Sequence, residues 1–280
     1  MEPTAATSRA VTCWACGGNA VPAGDLAPLA MWACPACGLA FQPEREDDPG
    51  ALYGGDYFAT YERGRPYASR GAARRFEASV RLAFVRRFVR AGQLLELGAA
   101  AGHFLTQARD SGFTVLGVEP SGDMARIARE RSVEVVVARI EDVELPKGQF
   151  DAVCGWHVLE HVPEPLPTVA RLRQALRPGG YAFFEVPNYA SVRARRDLAA
   201  WQHLDPLHHV AQYTPTAVRA LLERAGLRVL EVMTVPWAVY KRLPRKLLSY
   251  ARQSLILGRS TFGNHPSKHE LLRVVAQRPD

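Results

Sequence analysis

The sequence lacks any long apolar run: no stretch approaches the ~18 residues that a helix needs to cross a bilayer. The N-terminus, which begins Met1-Glu2-Pro3, also lacks the apolar segment of a secretory signal. These two absences predict a cytoplasmic protein that does not enter the membrane. Beyond the first forty residues cysteine occurs only at Cys154, and a cytoplasmic location disfavours disulfides.

Acidic residues are in the minority, with 28 Asp and Glu against 35 Lys and Arg, for a net charge of +7. The excess lies in two stretches: residues 62–90 carry nine Arg against two Glu, and residues 236–280 carry nine Lys or Arg against two acids. Each stretch can be a solvated helical surface or part of an electropositive rim that attracts a phosphorylated or carboxylated substrate. Nucleic-acid binding is disfavoured, because aromatic residues are not interleaved with the basic ones.

Four of the five cysteines form two closely spaced pairs near the N-terminus. Their spacing is C-x2-C-x17-C-x2-C, and a glycine follows each pair, so that the backbone can turn its amides toward the sulfurs. The pattern predicts a structural zinc ribbon over residues 1–42, because four thiolates fill a tetrahedral shell and leave no position for water. The predicted zinc ligands are Cys13, Cys16, Cys34 and Cys37.

The rest of the chain is long enough for one larger domain. After a linker at 43–66, strand-like apolar segments alternate with amphipathic helices through 67–280. This alternation predicts an α/β fold with a doubly wound, seven-stranded, mostly parallel sheet, and a basic insertion at about 236–268 with its own helix. The predicted strands lie near 93–97, 114–119, 133–138, 150–156, 180–186, 227–234 and 270–277. The predicted helices lie near 67–90, 103–111, 121–131, 164–177 and 215–225.

The first strand of this sheet leads into a turn of small residues, from Gly98 to Gly102, and the second strand ends in Glu119. Such a turn lets a ligand approach the backbone, and a carboxylate on the next strand can accept hydrogen bonds from both ribose hydroxyls. A dinucleotide site needs G-x-G-x-x-G, whereas Ala100 holds a middle position here. Glu96 adds a negative charge that repels a pyrophosphate but suits a cation. S-adenosylmethionine meets these conditions, since it has a ribose, an ammonium and a sulfonium but no phosphate.

The order of motifs resembles that of class I S-adenosylmethionine-dependent methyltransferases. The motifs are LLELGAAAGHF, VEP, IEDVELPKGQFDAV, WHVLEHVPEP and LRPGGYAFFEVPN, and the resemblance covers roughly residues 75–280. The two CxxCG pairs and the segment from Tyr53 to Phe58 resemble zinc-ribbon methyltransferases of bacterial natural-product and surface-sugar pathways. The resemblance implies the Rossmann-like methyltransferase fold with a small N-terminal zinc ribbon.

The resemblance also implies how S-adenosylmethionine is held. Glu119 would bind the ribose hydroxyls, and Ile140 and Glu141 would lie beside the adenine. Arg139 stands where the family often has an acid. The residues expected around the methionine portion are Glu96, Gly98, Ala100, Gly102 and His157.

Two histidine-rich segments are candidates for catalysis, because histidine is a well-matched base for an oxygen acceptor near neutral pH. The first contains His157, Glu160 and His161. Some metal-dependent O-methyltransferases carry E-x-x-E-H here, so these three residues can bind a second, divalent metal, or they can orient the loop and the cofactor.

The second segment follows the predicted strand at 180–186, in a crossover that passes over the carboxyl ends of the strands, where ligands bind. It can supply a base oriented by Asp205, or it can simply hydrogen-bond its own loop. Its candidate catalytic residues are His203, His208 and His209. Tyr213 and Trp237 can line the substrate or belong to the core.

These features predict methyl transfer to a small molecule, with O-methylation of a sugar or natural-product intermediate favoured over N- or C-methylation. The acceptor can be a nucleotide-linked sugar and can be anionic or carrier-bound. A nucleotide-dependent oxidoreductase and a zinc-ribbon module that binds nucleic acid are the two alternatives of a different class. No feature of the sequence indicates an oligomeric state.

Overall fold

The protein is built around a seven-stranded sheet in this computed structural model, which describes residues 10–26, 29–43, 71–205, 207–236 and 267–280. In chain order the strands are β1 (Val11–Thr12), β2 (Asn19–Leu26), β3 (Leu29–Ala33), β4 (Ala40–Phe41), β5 (Gly92–Leu97), β6 (Phe113–Glu119), β7 (Glu134–Val137), β8 (Phe150–Trp156), β9 (Leu176–Pro187), β10 (Ala211–Gln212), β11 (Arg228–Val235) and β12 (Leu271–Gln277). The helices are α1 (Gly71–Val85), α2 (His103–Asp110), α3 (Gly122–Glu130), α4 (Pro165–Ala175), α5 (Val192–Arg196) and α6 (Pro215–Arg224), with a 3-10 turn at Leu159–His161.

The large sheet has the strand order β11-β12-β9-β8-β5-β6-β7. Strand β12 is antiparallel to both of its neighbours, and the other pairs are parallel. Helices α1, α2 and α3 pack on one face and helices α4 and α6 on the other, so successive residues of β5, such as Leu94 and Leu95, enter two different cores. Burial of both faces explains the nearly continuous apolar strands. The predicted doubly wound, mostly parallel α/β fold is confirmed.

Six of the seven strands begin and end within one residue of their predicted positions. The start of α6 agrees with the sequence prediction. Thr214 caps the helix by accepting a hydrogen bond from the Ala217 amide at 3.0 Å, and Pro215 is the first helical residue. Gly226 follows its last turn with a φ of 83°, a conformation that glycine adopts without strain.

Strand β9 is longer than the sequence predicts. It starts at Leu176, directly after α4, although a helix was predicted to 177 and a strand only from 180. The register against β8 shifts just after the pair Phe150 and Leu176, and Gly179 takes a φ of 72° in the extra residues. Arg177 anchors this bulge through a 2.6 Å ion pair with Asp151. A bulge that depends on a partner 26 residues away leaves no signal in local sequence.

The N-terminal strands form a second sheet of order β1-β2-β3-β4-β10. Its edge strand β10 belongs to the histidine-rich crossover and pairs with β4, which the sequence did not predict. The Gln42 amide continues this ladder by donating to the Val210 carbonyl at 3.0 Å. Leu39 and Phe41 of the small sheet share one hydrophobic core with Tyr213.

Several predicted features lie outside the described residues. They are the linker at 43–66 apart from its first residue, the start of the helix predicted at 67–90, most of the basic insertion at 236–268 with its helix, and Trp237. Within the described residues no helix has both the length and the apolar character to cross a membrane.

Candidate active site

The loop between β5 and α2 is a tight turn in which three residues have a left-handed backbone conformation. Gly98, Ala100 and Gly102 have φ values of 62°, 44° and 74°. A Cβ at Gly98 would lie 2.8 Å from the Val158 side chain, and one at Gly102 would lie 2.8 Å from Ala128, so both positions require glycine. Ala100 has a Cβ in a conformation that costs on the order of 1 kcal/mol, which indicates that its backbone is held in place by its surroundings.

That support comes from Glu119 at the end of β6. Its Oε2 accepts a hydrogen bond from the Ala100 amide at 2.8 Å, and its Oε1 accepts one from the Ser121 amide at 2.8 Å. Burial raises the pKa of this carboxyl, and the two amides oppose that shift. Each carboxylate oxygen has a second lone pair, so the group can bind the loop and two ribose hydroxyls together.

Glu96 lies on β5 just before the turn and is only 4% exposed. Its Oε2 has no hydrogen-bond partner among the described residues. Burial raises the pKa of its carboxyl well above the usual range, and the positive charge of Arg81 opposes this shift. A buried carboxylate beside a turn of small residues fits a cationic ligand such as the ammonium of S-adenosylmethionine.

The residues expected beside the adenine differ in burial. Ile140 is 7% exposed and belongs to a hydrophobic core, which suits a residue expected against a flat base. Glu141 is partly exposed and lies 3.6 Å from Arg139, and its backbone carbonyl accepts a hydrogen bond from Arg171. Arg139, which stands where the family often has an acid, is therefore paired with Glu141.

His157 follows β8 and lies between two carboxylates. Its Nδ1 is 3.1 Å from Glu160 Oε1, and its Nε2 is 3.4 Å from Glu185 Oε1. Burial alone would lower the pKa of His157, but the two carboxylates raise it to about 9. The ring is therefore an imidazolium at neutral pH, and it is a poor candidate for a base or a metal ligand.

Sequence analysis did not single out Glu185, which is completely buried in β9. Besides His157 it binds Arg81 of α1, at 2.8 Å, and Arg273 of β12. Burial alone would raise the pKa of Glu185, but the two arginines hold it well below the usual range. The available signal was a single acid within the apolar run FFEVP and a single arginine within LLRVVA.

His161 and His209 come from the two histidine-rich segments and meet with their ring centroids 4.6 Å apart. The Nδ1 of His161 lies 3.1 Å from the His208 carbonyl, and the Nδ1 of His209 lies 3.0 Å from the His203 carbonyl. Burial lowers the pKa of both rings, that of His161 to about 3. Both imidazoles are therefore neutral at pH 7, and the low pKa of His161 makes that ring a weak base.

The other two histidines of the second segment have local contacts. His208 Nδ1 lies 2.9 Å from both carboxylate oxygens of Asp205, the partner suggested by the sequence. His203 is buried against Trp201, with 5.5 Å between ring centroids. Tyr213 is also buried and donates a hydrogen bond to the Leu159 carbonyl at 3.3 Å. His209 is thus the residue of this segment that joins the first histidine cluster.

The four N-terminal cysteines converge. The Sγ atoms of Cys13 and Cys37 are 3.6 Å apart, and those of Cys16 and Cys34 are 3.4 Å apart. Tetrahedral zinc with bonds of about 2.3 Å would separate its sulfurs by about 3.8 Å, so the cluster fits the ion closely. Gly38 has a φ of 74°, which lets its amide donate back to the Cys34 carbonyl.

The sequence profile described as "Methyltransferase domain" matches residues 67–232. The chain belongs to this methyltransferase family. S-adenosylmethionine is accordingly the cofactor of this methyltransferase, and the Glu96, Glu119 and loop geometry described above fits it. This excludes the alternative of a nucleotide-dependent oxidoreductase.

Relatives of this methyltransferase act on different atoms. A ubiquinone biosynthesis O-methyltransferase from Xanthomonas axonopodis pv. citri is 28% identical over 167 residues, which cover 54% of this chain and 70% of that enzyme. The C-methyltransferase NovU from Streptomyces niveus is 27% identical over 146 residues, which cover 50% of this chain but only 34% of that protein.

Solved structures share the fold of this methyltransferase. An S-adenosylmethionine-dependent methyltransferase from Thermotoga maritima superposes with a TM-score of 0.56 at 20% identity, covering 76% of this chain and 94% of that one. Another from Archaeoglobus fulgidus has a TM-score of 0.56 at 19% identity, covering 79% and 97%. At such identities the likeness concerns the fold alone.

Proposed function

We propose that this methyltransferase transfers the methyl group to a hydroxyl of a small molecule, such as a sugar or a natural-product intermediate. The observation that carries the proposal is the neutral imidazole of His209, which packs against His161 with ring centroids 4.6 Å apart, near the carboxyl ends of the strands where the cofactor would bind. A hydroxyl must lose its proton as it accepts a methyl group, and a neutral imidazole can take that proton.

S-adenosylmethionine supplies an electrophilic methyl group when bound. The chain's own residues would bind and orient it: Glu96 would face the ammonium, and Glu119 would hold the ribose hydroxyls while it fixes the loop. The cationic His157 would remain a donor that shapes the methionine end of the site. The buried surroundings of these groups keep water away from the transfer.

The acceptor's proton would pass to Nε2 of His209, because burial lowers the pKa of His161 to about 3 and makes that ring a weak base. In both rings Nδ1 faces a backbone carbonyl, which places the hydrogen on Nδ1 and leaves the lone pair on Nε2. The similarity to ubiquinone biosynthesis O-methyltransferases supports an oxygen acceptor.

C-methylation is the second candidate. A relative named a C-methyltransferase matches half of this chain at 27% identity, which is close to the 28% identity of the O-methyltransferase relative. An acidic C–H group also needs a base, so His209 would serve there too. N-methylation is less favoured, since a neutral amine acceptor attacks before it loses a proton.

The test is methyl transfer from isotopically labelled S-adenosylmethionine to hydroxylated acceptors, each paired with a control in which the hydroxyl is already methylated. The proposal predicts label on the free acceptor and none on the blocked one. Equal transfer to the blocked acceptor, with NMR showing that the label is on carbon, would contradict O-methylation and support C-methylation.

We also infer that the four cysteines bind a structural zinc ion and that the acceptor is anionic or carrier-bound. The convergent thiolates support the first inference, and the positive net charge of +7 supports the second.

A further inference from the structure

One carboxylate and two imidazoles converge beside the cofactor loop. Glu160, His161 and His209 each offer a ligand atom, and these three atoms lie within 4.8 Å of one another. Glu160 and His209 are buried, and His161 is partly exposed. The group is therefore enclosed on the protein side and accessible at His161.

The protonation of the two rings is set by their backbone contacts. Nδ1 of His161 faces the His208 carbonyl and Nδ1 of His209 faces the His203 carbonyl, so each Nε2 carries a lone pair. Backbone carbonyls hold metal-binding imidazoles in this same way, fixing both the tautomer and the orientation of the ring.

Glu160 adds a third acceptor to this group. Its Oε1 is engaged by the imidazolium of His157 at 3.1 Å, which keeps the group ionised. Its Oε2 is fully buried and has no hydrogen-bond partner among the described residues. A buried carboxylate oxygen close to two nitrogen lone pairs is electrostatically unfavourable unless a cation lies between them.

We propose that Glu160, His161 and His209 bind a divalent transition-metal ion. Two imidazoles and one carboxylate favour ions of the Mn²⁺, Fe²⁺, Co²⁺ and Zn²⁺ class over Mg²⁺, which prefers oxygen ligands and ordered water. The sequence suggested His157 as a ligand, but both of its nitrogens face carboxylates, and His209, 48 residues after His161, takes its place.

Three protein ligands leave coordination positions open for the acceptor. An ion there would bind the acceptor's hydroxyl oxygen and lower its pKa. With the lone pairs of His161 and His209 on the ion, the proton would pass to water instead of to a histidine. This role rests on the proposed O-methylation, whereas ion binding itself does not.

The test is Mn²⁺ binding to the full-length protein, followed by electron paramagnetic resonance and by metal analysis after gel filtration. Mn²⁺ is suitable because thiolates bind it poorly, so the cysteine cluster does not compete. We expect one Mn²⁺ per chain, and the same site should bind Co²⁺ with a d–d spectrum that lacks the strong sulfur-to-cobalt bands of the cysteine site.

The variants His209→Ala and His161→Ala should each lose the bound Mn²⁺. His208→Ala is the matched control, because it removes an imidazole adjacent to His209 that binds Asp205 instead. Failure of the wild-type protein to bind either Mn²⁺ or Co²⁺ outside the cysteine cluster would overturn the proposal, as would retention of the ion in both variants.

S-adenosylmethionine binding, measured by calorimetry on the same preparations, confirms that each variant is folded and separates the two proposals. In the wild-type protein, cofactor binding without ion binding would overturn the metal site and leave the methyltransferase function intact; in the two variants it is the expected result. Ion binding without transfer to any hydroxyl would leave the metal site standing and overturn O-methylation.

Discussion

Ala100 and Glu119 show how one side chain can serve both the fold and the ligand. The carboxylate of Glu119 accepts the Ala100 amide and so holds a strained, left-handed alanine in the loop around the cofactor. The same carboxylate is the group expected to bind the ribose hydroxyls. The sequence predicted Glu119 as a ligand but could not reveal that it also fixes the loop.

Replacement of Glu119 by Ala should weaken S-adenosylmethionine binding by about 100-fold or more. Loss of two charge-assisted hydrogen bonds, at about 1.5 kcal/mol or more each, accounts for that factor. Isothermal titration calorimetry measures the effect, and Glu130→Ala on the exposed surface of α3 serves as the control. Unchanged affinity in Glu119→Ala would refute the assignment of the ribose site.

Replacement of Glu185 by Gln should destabilise the fold by about 3–5 kcal/mol at pH 7, because the buried Arg273 and the partly buried Arg81 lose their shared carboxylate. Glu231→Gln, which disrupts a more exposed pair with Arg87, should cost at most about 1 kcal/mol. Urea unfolding of both variants beside the wild type gives the comparison.

The Glu185 effect should depend on pH in a defined direction. Its pKa is lowered in the folded state, so the stabilisation is present above the pKa of the unfolded chain, about 4.3, and is lost as the pH falls toward the folded value. The difference between wild type and Glu185→Gln should therefore shrink below about pH 4. A difference that stays constant down to pH 3 would contradict the proposed charge network.

At the scale of elements, the crossover that carries His209 is attached to the small sheet. Strand β10 pairs with β4, Thr214 donates to the Cys37 carbonyl at 2.6 Å, and Arg224 donates to the Ala15 carbonyl at 2.8 Å. The cysteine cluster therefore helps to position a histidine of the candidate active site.

If the cysteine cluster holds the proposed zinc ion, its removal by a chelator should loosen more than residues 10–43. We expect faster hydrogen–deuterium exchange also at 209–214, because β10 loses its partner strand, while β6 keeps its protection. Mass spectrometry of peptic peptides with and without the chelator measures this. Unchanged exchange at 209–214, with faster exchange at 10–43, would show that the crossover holds its place without the ribbon.

At the scale of the whole molecule, the sequence predicted what depends on local pattern and missed what depends on distant pairing. The strands, the cap at Thr214 and the turn from Gly98 to Gly102 are local signals, and the structure has them. The joining of His209 to His161 and of β10 to β4 depends on the path of the chain in space, so no spacing in the sequence indicated either.

The positive charge of the molecule leads to a prediction for turnover. If the acceptor is anionic, kcat/KM should fall as the ionic strength rises from about 0.05 to 0.5 M, because salt screens long-range attraction. An uncharged acceptor analogue should show little dependence. Equal dependence for both acceptors would favour the simpler interpretation that the basic stretches are solvated surface.

Strand β10 completes the small sheet, although in the chain it follows β9 of the large sheet, and this limits how the protein can be recombined. A ribbon grafted from a relative would have to match β10 in register and in its docking against Tyr213. A chimera joined only at about residue 43 would pair a foreign β4 with the native β10. A chimera that exchanges residues 10–43 together with 209–214 would keep β4 and β10 from the same protein.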